Sequence, residues 1–307
     1  MRNYLLYFFF LSFTFSSQSQ LSDTILIERH LKEIINTPSP RSYQHIESLN
    51  LVADYLHSSF LNTTDSVRFQ EYNAIGKTYK NVIASFCTDK EQRIIIGAHY
   101  DVCGNQDGAD DNASGVVGLL ELARLLKDVE LNYRIDLVAY SLEEPPFFRS
   151  EQMGSYIHAK SLHDKEIDVV GMICLEMIGY FNDAEGSQHY PLKSLKLIYG
   201  DRGDFITTVK KMYSGRFARK FSKAMKNTEL ISSRVFKGPK RLAGLDFSDH
   251  QNYWHFHYSS VMITNTSFYR NANYHQKTDT LETLDLKRMA AVIETVYLAL
   301  ISYSTEN

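Results

Sequence analysis

Three cysteines in 307 residues are few, and an odd number of them cannot all close into a disulfide framework. Cys87 and Cys174 lie in apolar, strand-like surroundings and read as core thiols. Cys103 sits near a loop of metal-ligating character, where oxygen and nitrogen ligands are better placed than its thiolate. Charge of one sign is also lacking. Lys and Arg number 33 against 36 Asp and Glu, a net charge of -3 with no block of like sign. That leaves no basic face for nucleic acid and no charged tail. Nothing in the composition points to disorder, and no internal repeat recurs. The zinc-protease pattern HExxH and the nucleophile elbow GxSxG are both absent, which removes those two hydrolytic designs.

Long apolar runs are lacking as well, except at the start. Arg2 precedes a largely apolar and aromatic segment, residues 4–15, which passes into polar residues at 16–19. The segment is well short of the ~20 residues that a membrane-spanning helix needs. Its layout is that of a secretory signal peptide, to be weighed against a buried first helix or an uncleaved anchor. No cysteine near the cleavage region offers a lipid attachment point. The expected division is a signal peptide over residues 1–19 and a single domain over 20–307. The mature chain would be secreted or periplasmic, with no stable membrane insertion.

The stretch IIIGAHYDVCGNQDGADDNASG, residues 94–115, carries the first chemistry. Ile94, Ile95 and Ile96 form an all-apolar run of the kind found in a strand covered on both faces. His99 and Asp101 follow two apart, so on extended chain they point to one side. A carboxylate there can hold the imidazole N–H and fix which ring nitrogen is free to bind a metal. Asp110 and Asp111 follow a turn-rich loop, and a helix begins near Ala113 with Asn112 or Ser114 as its cap.

Helical spacing is expected over residues 25–35 and 46–60, divided by Pro38 and Pro40. Strands are expected over 81–86 and 93–98, a buried helix over 113–127, a strand over 135–142, a helix over 154–162 and a strand over 169–177. A further strand is expected over 195–199, a helix over 204–226, a last strand over 261–266 and a closing helix over 284–303. Alternation of this kind implies an α/β fold with a mixed, mostly parallel central sheet and helices on both faces.

Ligands in such sheets bind outside the carboxyl ends of the strands. Four strand ends here carry acids or histidine: His99 with Asp101, the pair Glu143 and Glu144, Glu176 in LEMIG, and His275 in YHQKTDT. Unpaired acids converging there would repel one another at high cost, and a bound cation removes the problem. Glu143 and Glu144, adjacent on extended backbone, point to opposite sides, which suggests one ligand and one general base. With Asp110 bridging, His99 and Glu176 serve one ion, and Glu144 and His275 the other. Each ion then has three protein ligands and an open position, as a catalytic zinc site requires. Two ions about 3.5–4 Å apart can share a hydroxide and polarise a carbonyl, which makes amide hydrolysis the natural reaction.

These motifs, GAHYD, GADDNASG, Glu143-Glu144 followed by Gly154-Ser155, LEMIG, FSDH and YHQKTDT, stand in the order of a known family. From about Asn81 to its end the chain resembles the secreted zinc-dependent aminopeptidases, which include bacterial leucyl aminopeptidase, aminopeptidase Y and glutamate carboxypeptidase, with glutaminyl cyclase more distant. The resemblance implies a three-layer, zinc-exopeptidase-like α/β/α catalytic domain over 20–307. It implies two Zn2+ held by His99, Asp110, Glu144, Glu176 and His275, with Glu143 as general base and Asp101 in an outer-shell catalytic role. It also implies a cis peptide between Asp110 and Asp111, and Asp249 as a site-lining acid. The reaction implied is hydrolysis of the amino-terminal bond of peptide substrates by a metal-bridging hydroxide. Two departures stand out. Glu176 replaces the aspartate of many members, and the link PPFFRSEQM before Gly154 is longer than usual.

The competing enzyme reading is a glutaminyl-cyclase-like aminoacyl transferase with one zinc, a branch that lacks a counterpart of His99. A non-catalytic peptidase-like binding domain would have lost ligands or the base, all of which this chain keeps. Phe147, Phe148 and Arg149 read as aromatic packing with a surface arginine, or as a pocket wall. The histidines 250, 255 and 257 read as packed or surface groups rather than a second metal site. Asn62-Thr63-Thr64 and Asn265-Thr266-Ser267 match a glycosylation pattern that matters only in a host that glycosylates.

Overall fold

Alternating apolar residues build an eight-stranded sheet whose two faces bury separate clusters. On neighbouring positions of the central strands, Ile94 and Ile96 enter one cluster and Ile95 the other; Leu137 and Ala139 enter the first, Val138 and Tyr140 the second. This is the period of two expected of a strand covered on both sides. The computed structural model describes residues 21–239 and 242–305, so the signal peptide expected over 1–19 lies outside the described residues.

The strands are β1 (Val67–Ala74), β2 (Lys77–Phe86), β3 (Arg93–His99), β4 (Arg134–Tyr140), β5 (Val169–Glu176), β6 (Ile206–Lys211), β7 (Ser233–Gly238) and β8 (Ser260–Thr264). They lie in the order β1-β2-β4-β3-β5-β8-β6-β7. The core β4-β3-β5-β8 is parallel, and so is the β6 to β7 pair. Antiparallel pairing joins β1 to β2, β2 to β4, and β6 to β8. The expected mixed, mostly parallel α/β sheet is what forms.

Helices α1 (Thr24–Ile35), α2 (Ile46–Leu61), α3 (Gly115–Leu126), α6 (Gly215–Asn227) and α8 (Leu286–Thr305) bury their apolar stripes on the larger cluster. In α8 that stripe is Met289, Ile293, Val296 and Leu300, spaced three and four apart. Helices α4 (Gly154–Asp164) and α7 (His250–His255) cover the other face through Ala159, Leu162, Tyr253 and Trp254. Capping follows side-chain chemistry. Asp23 accepts hydrogen bonds from the Ile25 and Leu26 amides at the start of α1, and Asn112 Oδ1 accepts from Gly115 N at the start of α3.

Two expectations fail beyond β5. The strand expected over 195–199 is instead a helical turn, α5 (Lys196–Tyr199), with Leu197 and Ile198 exposed. An apolar run of that length has no period of its own to decide between strand and helix. The helix expected over 204–226 divides into strand β6 and helix α6. The β-branched residues Ile206, Thr207, Thr208 and Val209 favour a strand, and Tyr213 and Gly215, both at positive φ, turn the chain into the helix. Strands β1 and β7, half-exposed at the two sheet edges, were not expected at all.

Gly97 in β3 shows how tightly the second face is filled. A Cβ there would overlap the Tyr140 ring, whose hydroxyl meets Tyr253 Oη at 2.7 Å, and Tyr253 Oη in turn meets His158 Nδ1 at 2.6 Å. Gly97→Ala should therefore cost roughly 1–3 kcal/mol by overpacking. An unchanged urea midpoint would show that Tyr140 gives way freely.

Candidate metal centre

At the carboxyl ends of β3, β4 and β5 the chain brings His99, Glu143, Glu144 and Glu176 together, and the loop after β8 adds His275. All but His275 are almost fully buried. His99 Nε2 stands 3.4 Å from Asp111 Oδ1, 3.4 Å from Glu176 Oε2 and 3.9 Å from Glu143 Oε2. His275 Nε2 stands 3.2 Å from Asp111 Oδ2 and 3.2 Å from Glu144 Oε2. Each imidazole thus faces one oxygen of the same carboxylate.

That carboxylate corrects the sequence reading. Asp111, not Asp110, lies between the histidines, and the cis peptide joins Asp111 to Asn112 rather than Asp110 to Asp111. Asp110 points away into a ring of donors. Its Oδ1 accepts from the amides of Gly179 and Tyr180, and its Oδ2 accepts from the side-chain amides of Asn265 and Asn271, each within 3.1 Å. So bonded, Asp110 ties the start of α3 to the segments after β5 and β8. Asn265, wholly buried in this ring, is closed to glycosylation in the folded chain.

Two further carboxylates hold the backbone of the centre. Asp101 accepts from the amides of Glu143 and Glu144, both at 3.1 Å, while its Oδ1 lies 3.5 Å from His99 Nδ1. It therefore faces the histidine as expected, and it also fixes both glutamates. Asp279, inside the motif YHQKTDT but without an expected role, accepts from Asp110 N at 2.9 Å and Asp111 N at 3.0 Å. Arg41, also missed, is buried and donates to the carbonyls of Tyr100, Asp107 and Gly108, which pins the loop between β3 and the aspartates. A lone arginine in a proline-rich segment gives no sign of this in sequence. Ser248 Oγ donates to Glu176 Oε2 at 2.7 Å, and Tyr274 stacks on His275 with ring centroids 3.8 Å apart.

The remaining candidates separate. Asp249 is buried beside the centre, and burial pushes its carboxyl up to about 7. Phe147 packs into the core, Phe148 lines the cleft against Phe247, and Arg149 pairs with Asp246 at 2.7 Å on the surface. His250 lies edge-on to Trp254 and His255 packs against Phe256; among the described residues neither belongs to a metal-ligating cluster. Cys103 does lie with Glu144 and His275 in such a cluster.

The residues present fit bound cations. Ligand atoms of His99, Asp111 and Glu176 lie within 4.8 Å of one another, as do those of Cys103, Glu144 and His275. Even with both imidazoles protonated, two of the four buried carboxylates Asp111, Glu143, Glu144 and Glu176 would lack a counter-charge. Glu144 Oε1 is buried without a hydrogen bond. Burial and then the Asp111 carboxylate push Glu144 up to about 7, and burial pushes Glu143 well above the usual range. His99 is raised well above its ordinary value by Glu143 and Glu176, against the opposing effect of burial.

The profile described as Peptidase family M28 matches residues 81–300. The protein YfbL of Escherichia coli (strain K12), described as uncharacterized, is 42% identical over 278 residues, which cover 88% of this chain and 85% of YfbL. Aminopeptidase YwaD of Bacillus subtilis (strain 168) is 30% identical over 110 residues, 33% of this chain and only 23% of YwaD. Among solved structures, the Legionella pneumophila LapA aminopeptidase superposes with a TM-score of 0.71 at 19% identity, over 92% of this chain and 72% of LapA. Porphyromonas gingivalis glutaminyl cyclase superposes with a TM-score of 0.69 at 20% identity, over 93% of this chain and 100% of the cyclase. At these identities the two structures establish the shared fold.

Two outcomes follow from the centre. Asp111→Asn should lose bound divalent metal, measured by elemental analysis of the purified protein. Asp110→Asn should keep the metal and lower the unfolding temperature, and the opposite pattern would return the bridging position to Asp110. The second concerns pH. Glu144, Asp249 and Asp279 are each raised to about 7 in the folded chain. Since an unfolded carboxyl titrates near 4, the folded state holds more protons between about 4 and 7. The stability these groups contribute is present below the unfolded value and lost as pH rises through the folded one. Metal-stripped protein should therefore melt at a lower temperature at pH 8 than at pH 5. Metal binds the deprotonated Glu144, so loaded protein should show a smaller fall, with only Asp249 and Asp279 left to titrate. Equal slopes with and without metal would refute the assignment.

Proposed function

The chain belongs to peptidase family M28, a family of hydrolases, and from that premise we propose that it is a two-metal aminopeptidase that releases the first residue of peptides. The observation that carries this reading is the Asp111 carboxylate, with one oxygen toward His99 and the other toward His275. In the proposed arrangement His99 and Glu176 hold one ion, Glu144 and His275 the other, and Asp111 reaches both. Imidazole and carboxylate oxygen are zinc-type ligands. When bound, such ions polarise the scissile carbonyl and acidify a water.

The chain's own residues supply the rest. Glu143 borders the cleft, and burial raises its carboxyl well above the usual range, so its protonated form is more accessible than that of an exposed glutamate. As general base it takes the proton of the attacking water and delivers it to the leaving amine. Glu144 is one residue away and faces His275, which divides the labour of the pair between proton transfer and ligation. Asp101 keeps that division fixed by accepting both of their amides. Phe148, Tyr274 and Pro145 border the same cleft and give it apolar walls that limit water.

Export and domain extent belong to the proposal too. The proposed division is a leader over 1–19 and a catalytic domain over 20–307; within the latter, Ser22 N donates to Glu294 Oε1 at 2.7 Å and so ties Ser22 to α8. Among the described residues no helix is long and apolar enough to cross a membrane.

A panel of aminoacyl amides with free and blocked amino groups tests the reading, together with zinc content. Free-amine amides should turn over and blocked ones should not, with about two zinc per chain. One zinc per chain, with cyclisation of amino-terminal glutamine, would instead favour a glutaminyl-cyclase-like transferase. Glu143→Gln should keep its metal and lose roughly 100- to 10,000-fold in kcat. Metal loss in that variant would mean that Glu143 and Glu144 exchange roles.

A further inference from the structure

A second, largely apolar cavity opens off the cleft and shares Glu176, Phe247 and Ser267 with it. Its floor is a row of side chains across the sheet. The register pairs Glu176 with Thr264, Thr264 with Thr207, and Thr207 with Arg234. Three steps between strands place the Arg234 backbone roughly 14 Å from that of Glu176. Two residues along, on the same face, Met262, Val209 and Phe236 form a parallel apolar row that also lines the cavity. Phe205, Phe268 and Tyr269 contribute aromatic walls.

Into this apolar space three polar groups project with nothing to bond. Thr207 Oγ1, Tyr190 Oη and Arg234 Nε are buried without a hydrogen-bond partner, and Thr207 as a whole is only 4% exposed. The Arg234 guanidinium lies 4.5 Å over the Phe205 ring and, among the described residues, pairs with no carboxylate. A second guanidinium, that of Arg270, lies 4.6 Å over the same ring but does not line the cavity; its Nε donates to Gln188 Oε1 at 2.8 Å and its Nη1 to the Phe205 carbonyl at 2.7 Å, while its Nη2 is buried without a hydrogen-bond partner. Past Glu176 no acid lines the cavity. A buried donor left unbonded is costly, and a guanidinium is matched best by a carboxylate that takes two of its N–H groups.

We propose that this cavity receives the side chain of the substrate's amino-terminal residue, and that Arg234 makes it a site for a long side chain ending in a carboxylate, glutamate above all. Thr207 and Tyr190 donate to the same oxygens. The proposal rests on the aminopeptidase reading, which places the amino-terminal residue beside Glu176. Aspartate is too short to cross the apolar section, glutamine has the length without the charge, and leucine fills the walls but leaves Arg234 unmatched. Lysine or arginine at the amino terminus would meet a like charge.

The test uses the full-length zinc-loaded protein with glutamyl, glutaminyl and leucyl p-nitroanilides, on wild type, Arg234→Met and Arg234→Lys. Wild type should favour glutamyl over glutaminyl. In Arg234→Met the ratio of glutamyl to leucyl kcat/KM should fall roughly 10- to 100-fold, chiefly through KM. Arg234→Lys should recover part of that ratio. Thermal midpoints of the variants check that they fold. An unchanged ratio, or no wild-type preference for glutamyl over glutaminyl, overturns the proposal. If wild type cleaves none of the amides, the aminopeptidase reading fails, and calorimetry then decides the pocket by itself. Binding of free L-glutamate that Arg234→Met abolishes sustains the assignment, and no glutamate binding to wild type overturns it.

Discussion

Two buried aspartates, each accepting both amides of an adjacent acidic pair, are what the rest of the centre depends on. Asp101 holds the amides of Glu143 and Glu144, and Asp279 holds those of Asp110 and Asp111. Backbone amides are fixed dipoles, and a carboxylate that bonds two in succession sets the local chain direction as well as its own position. Of the four acids so held, Glu143, Glu144 and Asp111 turn toward the histidines and Asp110 turns away. The clamps therefore do more than support ligands from behind. They hold both glutamates and only one of the two aspartates toward the cleft, a distinction that side-chain chemistry between two identical aspartates cannot make.

Such a centre is held against its own electrostatics. Acids that lie close together and out of water would be protonated or driven apart unless something opposes them. Here the opposition comes from geometry. Residues on either side of the ligands adopt left-handed backbone that only glycine takes without strain: Leu142 before Glu143, Met177 after Glu176, and His275 itself. Each such position costs about 1–3 kcal/mol and persists only where surrounding packing enforces it. Leu142 and Met177 are both fully buried in the core, so packing enforces the strained turns that present the glutamates. Cation binding would then return the free energy stored as repulsion, which couples metal to stability as well as to chemistry.

The parallel half of the sheet was legible because its signals are local. Ile94 to Ile96, the run before Glu143 and the run through LEMIG each read as a buried strand ending in an acid or histidine, and the fold brings those ends together. The identity of the inward aspartate was not legible. Asp110 and Asp111 are equivalent as letters, and what separates them is a non-helical turn at Asp111 and Asn112 together with the Asp279 clamp, 168 residues away from Asp111. Arg41 was hidden for a similar reason: its partners are backbone carbonyls, which carry no sequence signature. Beyond β5 the errors have another source. Residues 206–211 are short, β-branched and followed at once by an amphipathic helix, so the helical period covered the strand. The edge strands β1 and β7 are half-exposed and lack the apolar run that marked the others.

That harder-to-read half has its own logic. Strands β4, β3, β5 and β8 run parallel and deliver their carboxyl ends, with the acids and histidines, to one edge. Strand β6 runs antiparallel to β8, so its amino end lies at that edge, and β7 follows it. The sheet level that carries Glu176 therefore continues through Thr264 and Thr207 to Arg234 without a break in register. The metal-type cluster on the strand ends and the cavity on the strand faces thereby share a common floor. A change in β6 or β7 can alter the cavity while the ligand-bearing strands stay as they are, because Asp101, Asp279 and Arg41 fix the centre from the opposite side. The reversal of direction between β8 and β6 is thus the feature that sets the cavity floor beside the metal centre.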